Sequence, residues 1–459
     1  MTGTQVSAGL ALLLCLGCVQ EVARSQPVGI GDTGPPLRHT ATAAPSSPTP
    51  RAYPVAGRII ANPANPQWLS YQNGDPFFLC SPGDPEGFLY RGFRNPDGTR
   101  DGDQASLIQK LGETGANGIY LMVVRSHGGD GDSSENPFVN SDSAQGLDPN
   151  ILEQWEGWIS EMENQGIVAY LFLYDDGARI WDTGDTVGPE EQSFIRGLVD
   201  RFEHHTHLIW AVAEEYNESY SAARVSNIAS EIRAADDHDH PIAVHKPNGL
   251  SFAEFGDDPA VDQFAIQYTA NDADGFHDAV VSAWNSAAGR YNLNLAEGHP
   301  DAFGAEARLR SWAVAMGGAY IMHLRWDIAT STPSELEDCG RLVSFMEATD
   351  LQRMAPHDEL AFGDTDYVLA DPGSEYIAYA ANLSGGMGLR GLVAGTYNLR
   401  WLDLASGMIV TQSGVNLPEG DQTWSRPAGI GSELAVHVEW MDPPAGPAGD
   451  LNEDGVAPR

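Results

Sequence analysis

The sequence predicts a (β/α)8 barrel followed by a small antiparallel β-sandwich, on three observations. Eight short apolar runs recur between Arg58 and Pro356, the stretches joining them carry helical periodicity, and beyond Pro356 the pattern turns to β-rich runs broken by Gly, Pro, Asn and Asp. Near-continuous apolar strands alternating with amphipathic helices describe a parallel sheet covered on its outer face, and about eight such units suit a closed barrel. A doubly wound open sheet is the alternative, but no Gly-rich phosphate loop follows any of the runs.

In chain order the runs are "PFFLC" (76–80), "GIYLMVV" (118–124), "IVAYLFLY" (167–174), "LIWAVA" (208–213), "PIAVH" (241–245), "DQFAIQY" (262–268), "YNLNLA" (291–296) and "AYIMHL" (319–324). Among the connections, Leu152, Trp155, Ile159 and Met162 recur at three and four residues, as do Phe194, Ile195, Leu198, Val199 and Phe202, the spacing of one buried helix face. The expected barrel therefore spans 58–356 and the sandwich 357–441, the latter built on "DYVLADPGSEYIAYAAN", "TYNLRWLDLASGMIV" and "SELAVHVEW".

The termini read differently. Ala8 to Val19 is an apolar stretch of signal-peptide size, so residues 1–20 are expected to direct export, to the periplasm, the cell surface or the medium. "CLGC" resembles a lipobox, which would make Cys18 a lipid anchor. Residues 21–57, rich in Pro, Ser, Thr and Ala, are expected to be a linker, and 442–459 an acidic tail. Outside the signal region only Cys80 and Cys339 remain, as buried thiols or one disulfide. The chain carries 64 acidic against 25 basic residues, a formal net charge of −39. That excludes nucleic acid as a partner, and with lysine only at Lys110 and Lys246 it matches the halophilic pattern of surfaces screened by salt.

A barrel assembles its site at the C-terminal ends of its strands, where polar groups should gather. They do: Asp84 after the first run, Arg125 and His127 after the second, Asp175 and Asp176 after the third, Glu214 and Glu215 after the fourth. His245 ends the fifth, Gln267 and Tyr268 the sixth, Glu297 and His299 the seventh, and Arg325 and Trp326 the eighth. Carboxylates for acid/base and nucleophilic work, with imidazoles, amides and flat rings, suit a carbohydrate. No ligand spacing points to a metal, and no cofactor is expected.

"LIWAVAEEYNE" resembles the fourth-strand motif of the retaining (β/α)8 glycoside hydrolases, and "NLAEGHP" is similar to their seventh-strand end. The resemblance implies Glu215 as acid/base and Glu297 as nucleophile, with Glu214 in place of the family's Asn. The opening "RIIANPANPQWLSYQNGDPFFLCSPGDPEGFLYRG" resembles the apiosidase-like hydrolases of glycoside hydrolase family 140 and relatives. Their C-terminal β-domain, which carries a collagen-binding label, is similar to "EYIAYAANLSGG" with "GTYNLRWLDLASGMIV". The expectation is an exported retaining glycosidase acting on a plant or algal polysaccharide or oligosaccharide. An inverting enzyme with Asp175 or Asp176 as base, and a non-catalytic carbohydrate-binding or adhesion protein, are the alternatives.

Overall fold

The computed structural model describes residues 40–42, 57–82, 87–125, 135–322 and 327–441. Seven of the eight apolar runs form one parallel sheet in sequence order: Gly118–Val124, Val168–Tyr174, Leu208–Ala213, Ile242–Lys246, Gln263–Thr269, Asn292–His299 and Tyr320–Ile321. The first run closes the ring. The Ser81 N–H donates to the Ile321 carbonyl and the Ile321 N–H to that of Leu79, while on the other side the Asn117 N–H donates to the Cys80 carbonyl. The strands are buried along nearly their whole length, as continuous apolar runs require when one face packs inside the barrel and the other against helices.

The helices follow from their patterns. In Pro149–Asn164 the side chain of Asp148 caps the first turn by accepting from the Asn150 N–H, proline occupies the first position, and Ile151, Leu152, Trp155, Ile159 and Met162 turn inward. Pro189–Phe202 buries all five of its predicted apolar residues. Pro333–Met346 starts with a capping box between Thr332 and Glu335 and packs so tightly on Gln104–Thr114 that a methyl group at Gly340 would collide with the Thr114 carbonyl. One unit departs from the eightfold pattern. Residues 247–262, between the fifth and sixth strands, contain no α-helix, and Phe252 stacks on Phe264 of the sixth strand at 4.4 Å.

A short antiparallel pair, Ile59–Ala61 and Leu69–Tyr71, covers the N-terminal end of the barrel. Its Trp68 is fully buried against Tyr320 and Trp284, and its indole N–H donates to the Met354 carbonyl at 2.9 Å.

The C-terminal part forms a seven-stranded antiparallel sheet and a three-stranded one. The larger sheet includes Ala355–Pro356, and at its far edge Thr40–Thr42, from within the expected linker, pairs with Ile409–Leu417. Arg308 of the barrel helix Gly304–Met316 holds Glu433 through two bonds of 2.7 Å and Asp338 through one of 3.1 Å. Beside it the rings of His277, Tyr367, Tyr379 and Trp312 stack in series, joining barrel to sandwich.

Candidate active site

The fourth strand ends at Ala213, and its next two residues diverge. Glu214 is buried and accepts from the Tyr120 hydroxyl at 3.2 Å. Glu215 adopts a left-handed backbone (φ 37°, ψ 45°), a conformation costing about 1–3 kcal/mol for a residue with a Cβ, before the turn Tyr216–Glu218. Its N–H donates to His245 Nδ1 at 2.9 Å, which helps to hold the strained position.

That bond also fixes the state of His245. The imidazole is fully buried, and burial pushes its pKa down to about 3, so the ring is neutral. Since Nδ1 accepts, Nε2 carries the proton, and it points toward Glu297 Oε2 at 3.8 Å. The contact is therefore a dipole aimed at a carboxylate rather than an ion pair. The other oxygen of Glu297 accepts from His299 Nε2 at 3.0 Å. Glu214, His245 and Glu297 each bring a ligand-type atom within 4.8 Å of the other two.

Glu215 lies in a contrasting environment. Burial first, then the charges of Glu297 and Glu218, push its carboxyl up to about 7, against a hydrogen bond from Gln267 that favours the ionised form. Asp176, Glu215 and Glu218 approach one another within 4.8 Å.

Folding thus gathers Asp176, Glu214, Glu215, His245, Gln267, Glu297 and His299 from five strand ends. Tyr268 is half-buried, one residue beyond Gln267. Arg125 and Asp175 form a separate buried group, with Arg125 Nε 3.4 Å from Asp175 and 3.6 Å from Glu135. A cleft of about 580 Å³ beside it is lined by Tyr90, Arg100, Asp103 and Glu135, not by either glutamate of the pair. Asp84, His127, Arg325 and Trp326 lie outside the described residues. Two residues of the site were not singled out from sequence. Glu218 stands three residues after Glu215, the spacing of one turn, and Tyr120 lies inside an apolar run where its hydroxyl gave no signal.

A closed (β/α)8 barrel that gathers paired carboxylates at the C-terminal ends of its strands, one of them held near neutrality, has the architecture of a glycoside hydrolase. The family model described as "Apiosidase-like, catalytic domain" matches residues 64–297, just over half of the chain. The chain belongs to this family and is a glycoside hydrolase with a carbohydrate substrate. Among solved structures it is similar to a glycoside hydrolase family 5 protein from Bacteroides vulgatus, at 13% identity and a TM-score of 0.63 over 84% of this chain and 93% of that one. It is also similar to a protein described as a glycoside hydrolase, at 14% identity and a TM-score of 0.62 over 84% and 98% of the two chains. No curated protein shows significant sequence similarity to the chain.

Proposed function

We propose that the enzyme is an exported, retaining glycosidase in which Glu215 is the acid/base and Glu297 the nucleophile. The observation that carries this reading is the unequal surroundings of the two acids. Burial and neighbouring acids keep Glu215 protonated to about pH 7, whereas Glu297 has the His299 ring at 3.0 Å and His245 Nε2 turned toward it at 3.8 Å.

In the first step Glu215 gives its proton to the glycosidic oxygen as a Glu297 oxygen attacks the anomeric carbon; the carbon–oxygen bond breaks and the leaving alcohol departs. In the second, the Glu215 carboxylate takes a proton from water. The water oxygen displaces Glu297, and two inversions give net retention. The Gln267 hydrogen bond steadies Glu215 while it is ionised. Glu214, oriented by Tyr120, offers an acceptor to a sugar hydroxyl where the related motif has an amide. Asp175 suits the inverting alternative poorly, because it is buried and bound to Arg125.

A plant or algal glycan is the proposed substrate class, and the family's name puts apiosides first on a test panel. Export through residues 1–20 and lipidation at Cys18 belong to the same reading, on the strength of the apolar stretch Ala8 to Val19. No described helix is long and apolar enough to cross a membrane. Proton NMR of the first product anomer tests the mechanism: the substrate's configuration is expected, and the opposite anomer refutes it. With azide and an activated aryl glycoside, Glu215→Ala should yield the retained glycosyl azide and Glu297→Ala the inverted one. Near-normal turnover in both variants would refute the assignment of residues.

A further inference from the structure

We propose that Glu156, His204 and His205 form a zinc site at the N-terminal end of the barrel, opposite the catalytic glutamates. His204 Nε2 and His205 Nε2 lie 3.0 and 3.1 Å from the same atom, Glu156 Oε1. The three ligand atoms all fall within 4.8 Å of one another. Zinc bonds of about 2.0–2.1 Å in a tetrahedral site place donor atoms roughly 3.3 Å apart, close to the two histidine–carboxylate spacings found here. Two imidazoles and a carboxylate leave a fourth position for solvent, and the side chain of His204 is 57% exposed, so an ion can enter.

The second observation is the state of His205, which is 2% exposed. Its Nδ1 faces Glu163 Oε2 at 2.8 Å, and Glu163 accepts from the Thr206 N–H as well. A carboxylate used as acceptor on both sides puts a ring hydrogen on Nδ1 and makes Nε2 the ring atom directed at Glu156. That buried Nε2 makes no hydrogen bond although Oε1 is so near. A cation between Nε2 and Oε1, either a metal ion or a second ring proton, satisfies both atoms. The carboxylate–imidazole–ligand order is the arrangement in which an outer acid orients a metal-binding histidine. The rest of the loop is equally fixed: the His205 carbonyl accepts from His240 Nε2 at 2.8 Å, and Arg201 Nε lies 3.0 Å from the second oxygen of Glu156.

An ion here would tie the helix Pro149–Asn164 to the loop after Pro189–Phe202, immediately before the fourth strand. The six residues of that strand, at ~3.3 Å each, put about 20 Å between the site and Glu215. Zinc should therefore change stability and leave the sugar chemistry alone.

Calorimetric titration of untagged, chelator-stripped protein with ZnCl2 tests the proposal, alongside thermal melts. One zinc per chain and a raised midpoint are expected, with no response to Mg²⁺ or Ca²⁺, which favour all-oxygen sites. His204→Ala removes a largely exposed ligand together with its ring contact to His205 at 4.2 Å, so each protein is compared with its own metal-free melt. The variant should bind zinc at least tenfold more weakly and lose the zinc-dependent rise. Glu163→Gln should weaken zinc about 10–100-fold through misorientation of His205. Equal zinc affinity in wild type and His204→Ala, or no binding at all, overturns the proposal and leaves a histidine–carboxylate hydrogen-bond network.

Discussion

Replacing Glu218 with glutamine should pull the alkaline limb of the pH–rate profile toward acid and leave activity at low pH intact. In the proposed mechanism Glu215 must be protonated to act as acid, and its carboxyl stands at about 7 through burial, then the charge of Glu297, then Glu218, which both repels it and shares a hydrogen bond with it. The oxygens of Glu215 and Glu218 come within 4.8 Å. At that distance two unit charges repel by ~0.9 kcal/mol in water and ~3.5 kcal/mol at an effective dielectric of ~20. Glu218 is exposed, so the lower end applies, and at ~1.4 kcal/mol per pH unit the expected shift is ~0.6 unit. With the limb moved from about 7 to ~6.4, the protonated fraction near pH ~8 falls from ~9% to ~2.5%. kcat/KM should then drop about fourfold at that pH and hardly at all near pH ~5. The assay is kcat/KM against pH for both enzymes on a substrate with a poor leaving group. An activated aryl glycoside, which needs little protonation, should narrow the gap. A limb that stays in place or rises would show that Glu215 is not the titrating acid.

Arg308→Ala should cut one link between barrel and sandwich and remove both bonds to Glu433, while Asp338 keeps Arg341, a loss of about 2–3 kcal/mol. Chemical denaturation measures it, and an unchanged midpoint would mean that the contact braces nothing. The net charge of −39 should make the thermal midpoint rise with NaCl as the Debye length contracts from ~10 Å at 0.1 M to ~3 Å at 1 M; a flat or falling midpoint contradicts this. The sulfurs of Cys80 and Cys339 lie 2.8 Å apart between the first strand and the last helix, so protein isolated from an oxidising compartment should carry them as a disulfide. Thiol counting in denaturant checks this, and two reactive thiols would refute it.

Secondary structure and the gathering of polar strand ends into a candidate site were legible along the chain because both are governed by near neighbours. A run such as Leu208–Ala213 must be buried on both faces, and a period such as Leu152, Trp155, Ile159 and Met162 must bury one. In a parallel barrel every strand points the same way, so its polar end residues necessarily share one rim, and Glu215 and Glu297 could be set together from strand order alone. Distance and state were not legible. Whether a strand-end acid faces the axis or a neighbouring arginine depends on side chains far away in sequence: Asp175 turns to Arg125, while Asp176, its neighbour, comes to Glu215 and Glu218. The pKa of Glu215 arises from burial and from Glu297, 82 positions away, and the tautomer of His245 from the N–H of a residue on another strand. Glu156 and the pair His204 and His205 read as helix-surface and loop residues until packing of their two helices brings them to one point. Local order thus follows from the pattern of apolar residues, whereas charge state and convergence are properties of the space the folded chain encloses.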